Sequence, residues 1–161
     1  MRLRILLALT LVASATLGTT ASGEPDRFGV TYVPGGASRV AIEKAANQAD
    51  GSAWIDYVRK AEHSTLVVRR TKPGRAEVHT ELTDVWYVID GGGTLVTGGK
   101  LVDAKTIAPG ELRARASSGG IARHIGKGDL LDIPAGVPHW VRGIDGKELV
   151  YLTVKVATPP R

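Results

Sequence analysis

The sequence contains no cysteine among its 161 residues, and this absence removes several kinds of chemistry at once. A disulfide framework, a thiolate metal site and a cysteine nucleophile are all excluded. The chain also lacks a G-x-S-x-G nucleophile elbow, a Walker A motif and a dinucleotide-binding fingerprint. The candidates for chemistry considered below are therefore histidine, carboxylate and arginine side chains.

Aromatic residues are scarce, at 5% of the chain, and positive charge is not concentrated in any one stretch. The formal net charge is +5, and it would fall to +3 if Arg2 and Arg4 were removed with a leader segment. A nucleic-acid surface would need a basic stripe with interleaved aromatic rings. We therefore expect no nucleic-acid partner.

Long apolar runs are absent except near the N-terminus. Residues 1–4 are positively charged, residues 5–12 are mostly apolar, and the small residues Ala13-Ser14-Ala15 follow. This order is typical of a secretory signal peptide, and the apolar run is too short to span a bilayer comfortably. The sequence predicts a signal peptide over residues 1–22, a secreted or periplasmic protein, and no membrane association once the peptide is removed.

What the chain does contain is glycine, with 20 residues, and short runs of valine, isoleucine and threonine. This composition favours many short strands separated by tight turns. The alternation in residues 64–71 predicts a strand with Leu66, Val68 and Arg70 on one face. The run Asp90-Gly91-Gly92-Gly93, between two apolar stretches, predicts a hairpin turn.

One helix is predicted before the strands begin. Ser38 can cap a helix over residues 39–49, because Val40, Ile42 and later alanines give it a rough apolar stripe. Asp50-Gly51 would end this helix. We expect it to pack against the outside of the sheet.

Two segments about 50 residues apart carry the most specific signal. Residues 128–139 place Gly128, Pro134, Gly136 and His139 in the spacing G-x5-P-x-G-x2-H. This is the spacing of the second motif of the cupin superfamily, and the chain resembles a cupin. Residues 74–91 are similar to the first cupin motif, with changes at positions where that motif has metal ligands.

The resemblance implies an all-β fold, a double-stranded β-helix or jelly-roll barrel, with the short N-terminal helix outside it. One pair of motifs implies a single-domain cupin. We expect an N-terminal extension over residues 23–62, the barrel over residues 63–157 and a tail over residues 158–161. Cupins commonly form homodimers, so the resemblance also implies a homodimer.

The resemblance also implies a metal site, and two ligand sets are open. In the first, six residues separate Asp84 from Gly91 and four separate it from His79, so Glu77 replaces a histidine of the motif. In the second, Glu81 replaces a histidine, but only two residues then separate it from Asp84. We favour the first set because its spacing is regular. The predicted ligands are Glu77, His79, Asp84 and His139.

These side chains suit a divalent transition metal such as Mn, Fe or Zn. We therefore expect an enzyme of the oxygenase, isomerase or lyase type acting on a small molecule inside the barrel. Arg70 could hold an anionic group of the substrate, and Glu81 could move a proton. The alternative is a non-catalytic cupin that binds or senses a small ligand through a degenerate metal site.

Overall fold

The structure is a computed structural model that describes residues 25–158. The predicted signal peptide and the last residues of the predicted tail lie outside this range. Within residues 25–158, no helix has the length and apolar character needed to cross a membrane.

One short helix and eleven strands make up the regular structure of this range. The helix is α1 (Ala37–Lys44). The strands are β1 (Ser52–Arg59), β2 (His63–Arg70), β3 (Ala76–His79), β4 (Leu82–Thr97), β5 (Lys100–Val102), β6 (Lys105–Ala108), β7 (Glu111–Ala114), β8 (Ala116–Ser118), β9 (Ile121–Gly126), β10 (Leu130–Ile133) and β11 (His139–Ala157). The all-β class with a short N-terminal helix is therefore confirmed.

Nine of the strands form one antiparallel sheet, and β5 pairs with β8 in a small second sheet. Strands β4 and β11 pair along almost their whole length, from Thr97 opposite His139 to Leu82 opposite Ala157. Their register shifts at three places, which bends both strands and lets the sheet curl. Because β1 is hydrogen-bonded to β2, the segment before residue 63 contributes an edge strand to this sheet.

The glycine run of β4 lies inside a continuous strand, so the predicted hairpin at residues 90–93 is wrong. Gly91 has a φ of +70°, and a Cβ atom there would lie 1.9 Å from the carbonyl oxygen of Glu148. The glycines thus mark a close approach of β4 to β11 at a bulge. The sequence cannot distinguish this use of glycine from a turn, because the contacting backbone lies far along the chain.

The main apolar core lies inside the curled sheet, and strand alternation supplies its side chains. Its fully buried members include Trp86, Val88, Leu95, Leu149 and Tyr151. On β2, Val68 faces this core, while Val67 packs on the opposite face in a second cluster. The predicted division of β2 into two faces is confirmed.

The helix is shorter than predicted and begins earlier. It follows Gly36 rather than Ser38, and Gly36 provides no side-chain cap. It ends at Lys44 because the Arg69 guanidinium donates hydrogen bonds to the carbonyl oxygens of Glu43 and Ala45. These bonds satisfy carbonyls at the helix end and turn the chain toward β1. Ile42 alone among its residues is fully buried, against the outer face of the sheet.

Candidate metal centre

Three strands bring the predicted ligands to one point inside the curled sheet. Glu77 and His79 are two residues apart on β3, so both side chains project to the same face. His139 begins β11 and lies opposite Glu77 in the register. Asp84 lies near the start of β4 and is almost fully buried.

The turn before β11 is fixed to β3, and this sets the position of His139. Gly136 has a φ of +79°, a conformation that glycine adopts without strain. Its amide donates a 2.8 Å hydrogen bond to the carbonyl oxygen of His79. The glycine of the second motif therefore ties the two ligand-bearing segments together through the backbone.

The distances from the two imidazoles to the two carboxylates fit a single ion. The Nε2 atom of His139 lies 3.7 Å from a Glu77 oxygen and 3.8 Å from an Asp84 oxygen. The Nε2 atom of His79 lies 3.7 Å from Asp84 and 4.0 Å from Glu77. Two ligand atoms that each lie about 2.1 Å from one ion are at most about 4.2 Å apart. Glu77, His79 and His139 also offer ligand atoms within 4.8 Å of one another.

One hydrogen bond holds His139 in the Nδ1–H tautomer, whose Nε2 atom is free to bind a metal. Its Nδ1–H donates to the carbonyl oxygen of Val137, because a carbonyl can only accept. Burial lowers the pKa of His139, which keeps the ring neutral and leaves a lone pair on Nε2. This Nε2 atom is buried and has no hydrogen-bond partner among residues 25–158. An unpaired buried polar atom costs about 1–3 kcal/mol, so a ligand at this point would remove a penalty.

His79 is oriented in the same way by a carboxylate. Its Nδ1 atom lies 2.7 and 2.8 Å from the two oxygens of Glu111. Its Nε2 atom lies 2.9 Å from the ammonium of Lys155, which can only donate. The Nδ1 atom therefore carries the proton and Nε2 carries the lone pair. A carboxylate behind a ligating histidine is the usual outer partner of a metal site.

Glu77 is held in its ionised form by the charges around it. Burial on its own would raise the pKa of Glu77, but the His139 ring, once protonated at low pH, and the Arg70 and Arg113 guanidinium groups outweigh it and lower the pKa to about 2. The two guanidinium groups lie 3.2 and 3.0 Å from the Glu77 carboxylate. An ionised carboxylate is the form that binds a metal.

The structure separates the two alternative ligand sets. Glu77 lies with His79 and His139, and Asp84 is close to both imidazoles, whereas Glu81 is exposed in the bend between β3 and β4. Glu81 lines a different recess, together with Pro109 and Glu111. The structure therefore does not bring Glu81 to the site as a ligand or as a proton carrier.

Arg70 points into the interior, where its guanidinium already has protein partners. Its Nε donates to the Tyr151 hydroxyl at 3.2 Å and its Nη2 to Glu77 at the same distance. These neighbours raise the pKa of Arg70, so it stays charged. A Cβ atom at Gly74 would lie 2.6 Å from this guanidinium, which explains the glycine there.

Three residues that contact the candidate ligands were not predicted from the sequence. Glu111 and Arg113 lie on β7 directly opposite His79 and Glu77. Lys155 lies on β11 opposite Asp84, and its Nζ atom is 2.8 Å from both Asp84 oxygens. The alternation of residues along β11 could have identified Lys155 as inward-facing, because Lys155 shares a face with Tyr151. The strand pairing that brings them to the ligands was not visible.

A cavity of about 260 Å³ adjoins the ligands. Trp54, Leu66, Val68 and Trp86 contribute its apolar walls, and Trp86 donates a 3.2 Å hydrogen bond to Asp84. An adjoining recess of about 230 Å³ adds Arg75 and Ile107 and shares four polar residues with the cavity: Asp50, Arg70, Glu77 and Arg113. The volume fits a small organic molecule.

The fold is a double-stranded β-helix, and comparison with solved structures supports this conclusion. The chain is similar to a double-stranded β-helix protein from Klebsiella pneumoniae, with 15% identity, a TM-score of 0.53, and coverage of 74% of this chain and 88% of that one. It is also similar to KdgF from Halomonas sp., with 12% identity, a TM-score of 0.50, and coverage of 72% and 89%. A third similar structure, TT1209 from Thermus thermophilus, has 18% identity, a TM-score of 0.50, and coverage of 73% and 93%.

At these identities the likeness concerns the fold alone. No protein-family model matches the chain, and no curated protein matches its sequence. Fold and site together define a double-stranded β-helix barrel with a candidate histidine–carboxylate centre.

Proposed function

We propose that this protein is a metal-dependent cupin enzyme that acts on a small organic molecule. The observation that carries the proposal is the His139 Nε2 atom, which is buried, unpaired within residues 25–158 and directed at two carboxylates and a second imidazole. Glu77, His79, Asp84 and His139 would hold Mn, Fe or Zn. The metal would act as a Lewis acid or hold the substrate in place.

The protein's own residues prepare the site for that chemistry. Glu111 and the Val137 carbonyl fix the two imidazoles with their lone pairs inward. Arg70 and Arg113 keep Glu77 ionised. His79, Asp84 and His139 are buried, so solvent would screen their electrostatic contacts with a bound substrate less than at the surface. Oxygenase, isomerase and lyase reactions all remain compatible with this arrangement.

The substrate class that we propose is a small anion, such as a carboxylate. The recess beside the cavity carries more basic than acidic side chains. It is lined by Arg70, Arg75 and Arg113 and by the acidic residues Asp50 and Glu77. Arg75 is exposed and makes no ion pair within the part of the chain that the structure describes. An arginine guanidinium binds a carboxylate through two parallel hydrogen bonds. Arg75 is therefore the first candidate to contact the substrate.

Export and dimerisation complete the proposal. The first 22 residues have the order of a signal peptide, which supports a secreted or periplasmic location. The N-terminal mass of the protein recovered from the producing cell tests the cleavage. The mass in solution, measured by light scattering, tests the homodimer.

Metal content tests the central claim. The purified mature protein would be supplied with Mn²⁺, Fe²⁺ or Zn²⁺, desalted, and analysed by mass spectrometry of the elements. We expect one ion per chain in the wild type and little in His79→Ala or His139→Ala. His124→Ala is the matched control, because this histidine is exposed and pairs with Asp145 instead. A folded wild type without metal would refute the proposal.

The alternative is a cupin that binds or senses a small ligand without a metal, and one observation favours it. The cluster is already balanced in charge, since Glu77, Asp84 and Glu111 face Arg70, Arg113 and Lys155. The same metal measurement separates the two functions.

A further inference from the structure

Lys155 occupies the part of the centre where a metal would bind two of its ligands. Its ammonium nitrogen lies 2.9 Å from the His79 Nε2 atom and 2.8 Å from each oxygen of Asp84. The imidazole nitrogen has a single lone pair, so it can face the ammonium or a metal but not both. The two cations therefore compete for His79.

Resting on the proposed metal function, we propose that Lys155 is an internal competitor of the metal. In the metal-free protein its ammonium holds His79 and Asp84 at their positions in the centre. When a metal binds, the ammonium leaves these two side chains and turns into the cavity. Lys155 thus lowers the affinity for metal and keeps the empty centre ordered.

Charge makes the exchange necessary. With Lys155 in place, three carboxylates already face three cationic side chains. A divalent ion added beside the ammonium would place two like charges within a few ångströms in a buried site. Such repulsion is large where solvent screens poorly. Movement of the ammonium away from His79 and Asp84 removes this repulsion.

Of the groups in contact with the site, Lys155 is well suited to move. Its side chain is 20% exposed, against 2% for Asp84 and 4% for His79. It lines the 260 Å³ cavity, which offers space for its flexible four-carbon stem. The backbone of Lys155 is paired with Ser64 on one side and Asp84 on the other, so the strand can stay in place while the side chain turns.

Replacement of Lys155 by an uncharged side chain of similar length tests the proposal. Zn²⁺ and Mn²⁺ binding to metal-free wild type and Lys155→Met would be measured by isothermal titration calorimetry. We expect Lys155→Met to bind at least about tenfold more tightly, since the competing cation is gone. Lys147→Met is the matched control on the same strand, because this lysine is exposed and forms no ion pair within residues 25–158. Its metal affinity should equal that of the wild type.

The outcomes separate this inference from the function on which it rests. If the wild type binds metal and Lys155→Met binds it equally or less tightly, the competitor role is wrong and the metal function stands. If neither protein binds metal, both are wrong. Binding by Lys155→Met alone would show that the native lysine blocks the centre.

A second measurement needs no variant and covers the case in which Lys155→Met does not fold. The wild type would be treated with an amine-reactive acetylating reagent, with and without Zn²⁺, and the modified lysines quantified by mass spectrometry. We expect Zn²⁺ to raise the labelling of Lys155 several-fold, because the side chain leaves His79 and Asp84 and its amine can then lose a proton and react. The exposed Lys60 serves as the internal reference and should not change. Labelling of Lys155 that stays constant or falls would overturn the inference.

Discussion

Glu111 and the carbonyl oxygen of Val137 perform the same task for two different histidines. Each accepts a hydrogen bond from an Nδ1–H group and so directs an Nε2 lone pair into the centre. The carbonyl cannot be removed by substitution, but the Glu111 carboxylate can. The importance of ring orientation is therefore best tested at His79.

Glu111→Gln should weaken metal binding by about 10- to 100-fold, the usual effect of losing the carboxylate behind a ligating histidine. The neutral amide is a weaker acceptor and can also present its NH₂ group to the ring. The dissociation constant for Zn²⁺, measured by calorimetry, gives the result. Glu81→Gln is the matched control, since Glu81 is exposed and outside the cluster. Equal losses in the two variants would contradict the orienting role.

The Glu77 carboxylate makes the folded protein sensitive to acid. Its pKa is about 2 in the folded protein against an ordinary value of 4.5, so it favours folding above pH 4.5 and loses this contribution as the pH falls toward 2. The contribution at neutral pH is on the order of 3 kcal/mol. The lowered pKa of His139 acts in the same direction, because protonation of this buried ring below its ordinary pKa of 6.5 opposes folding.

We therefore expect the free energy of unfolding to fall between pH 5 and pH 3, and to fall less in Glu77→Gln. Urea denaturation at several pH values, followed by tryptophan fluorescence, measures both curves. Glu77→Gln should also be less stable at pH 7, because Arg70 and Arg113 lose a counter-charge. Parallel curves for the two proteins would show that Glu77 does not set the acid response.

At the scale of secondary-structure elements, β4 shows what a sequence can and cannot reveal. Its alternation places Asp84, Trp86 and Val88 on the inner face, and this pattern is local. The glycines at 91–93 follow from the approach of β11, a strand more than 50 residues away. The turn propensity of glycine suggested a hairpin at residues 91–93. The contact with β11 instead requires a bulged strand with glycine at this point, because a side chain there would meet the backbone of β11.

Gly91→Ala should reduce stability by about 3 kcal/mol or more, since strain and a backbone clash act together. Gly98→Ala is the matched control. Both glycines have positive φ, at 70° and 77°, but only Gly91 faces a backbone atom at 1.9 Å, and nothing lies within 4 Å at Gly98. The control should cost about 1–2 kcal/mol from conformation alone. Chemical denaturation of both variants measures the difference, and equal costs would argue against the close approach.

At the scale of the whole molecule, the two motifs predicted the fold and the four candidate ligands, because each motif is a local pattern with a fixed spacing. The groups that orient or balance these ligands came from β7 and the end of β11. Nothing in the sequence near Glu111, Arg113 or Lys155 indicates which strand each will face. Which ligand each of these residues faces depends on the register of the sheet, and this register is fixed only when the whole barrel closes.

The basic side chains of the recess beside the cavity predict that the protein prefers anionic ligands. Arg75 lies in the recess that adjoins the cavity of the centre and is exposed, so its guanidinium is available to an incoming anion. Small carboxylates such as succinate should bind the metal-loaded protein more tightly than their neutral amide analogues. Binding should weaken as salt rises, because screening reduces the attraction between exposed charges. Calorimetry at two salt concentrations measures both effects.

Arg75→Met should raise the dissociation constant for the carboxylate about three- to tenfold, as expected for the loss of one charge-assisted contact of about 1 kcal/mol. Arg142→Met is the control, because this arginine is exposed on β11 and does not line the recess. The amide analogue should bind equally to all three proteins, since it carries no charge for Arg75 to attract. If the amide binds as well as the carboxylate, or if Arg142→Met has the same effect as Arg75→Met, the recess does not select anions and the substrate must be recognised by the apolar walls instead.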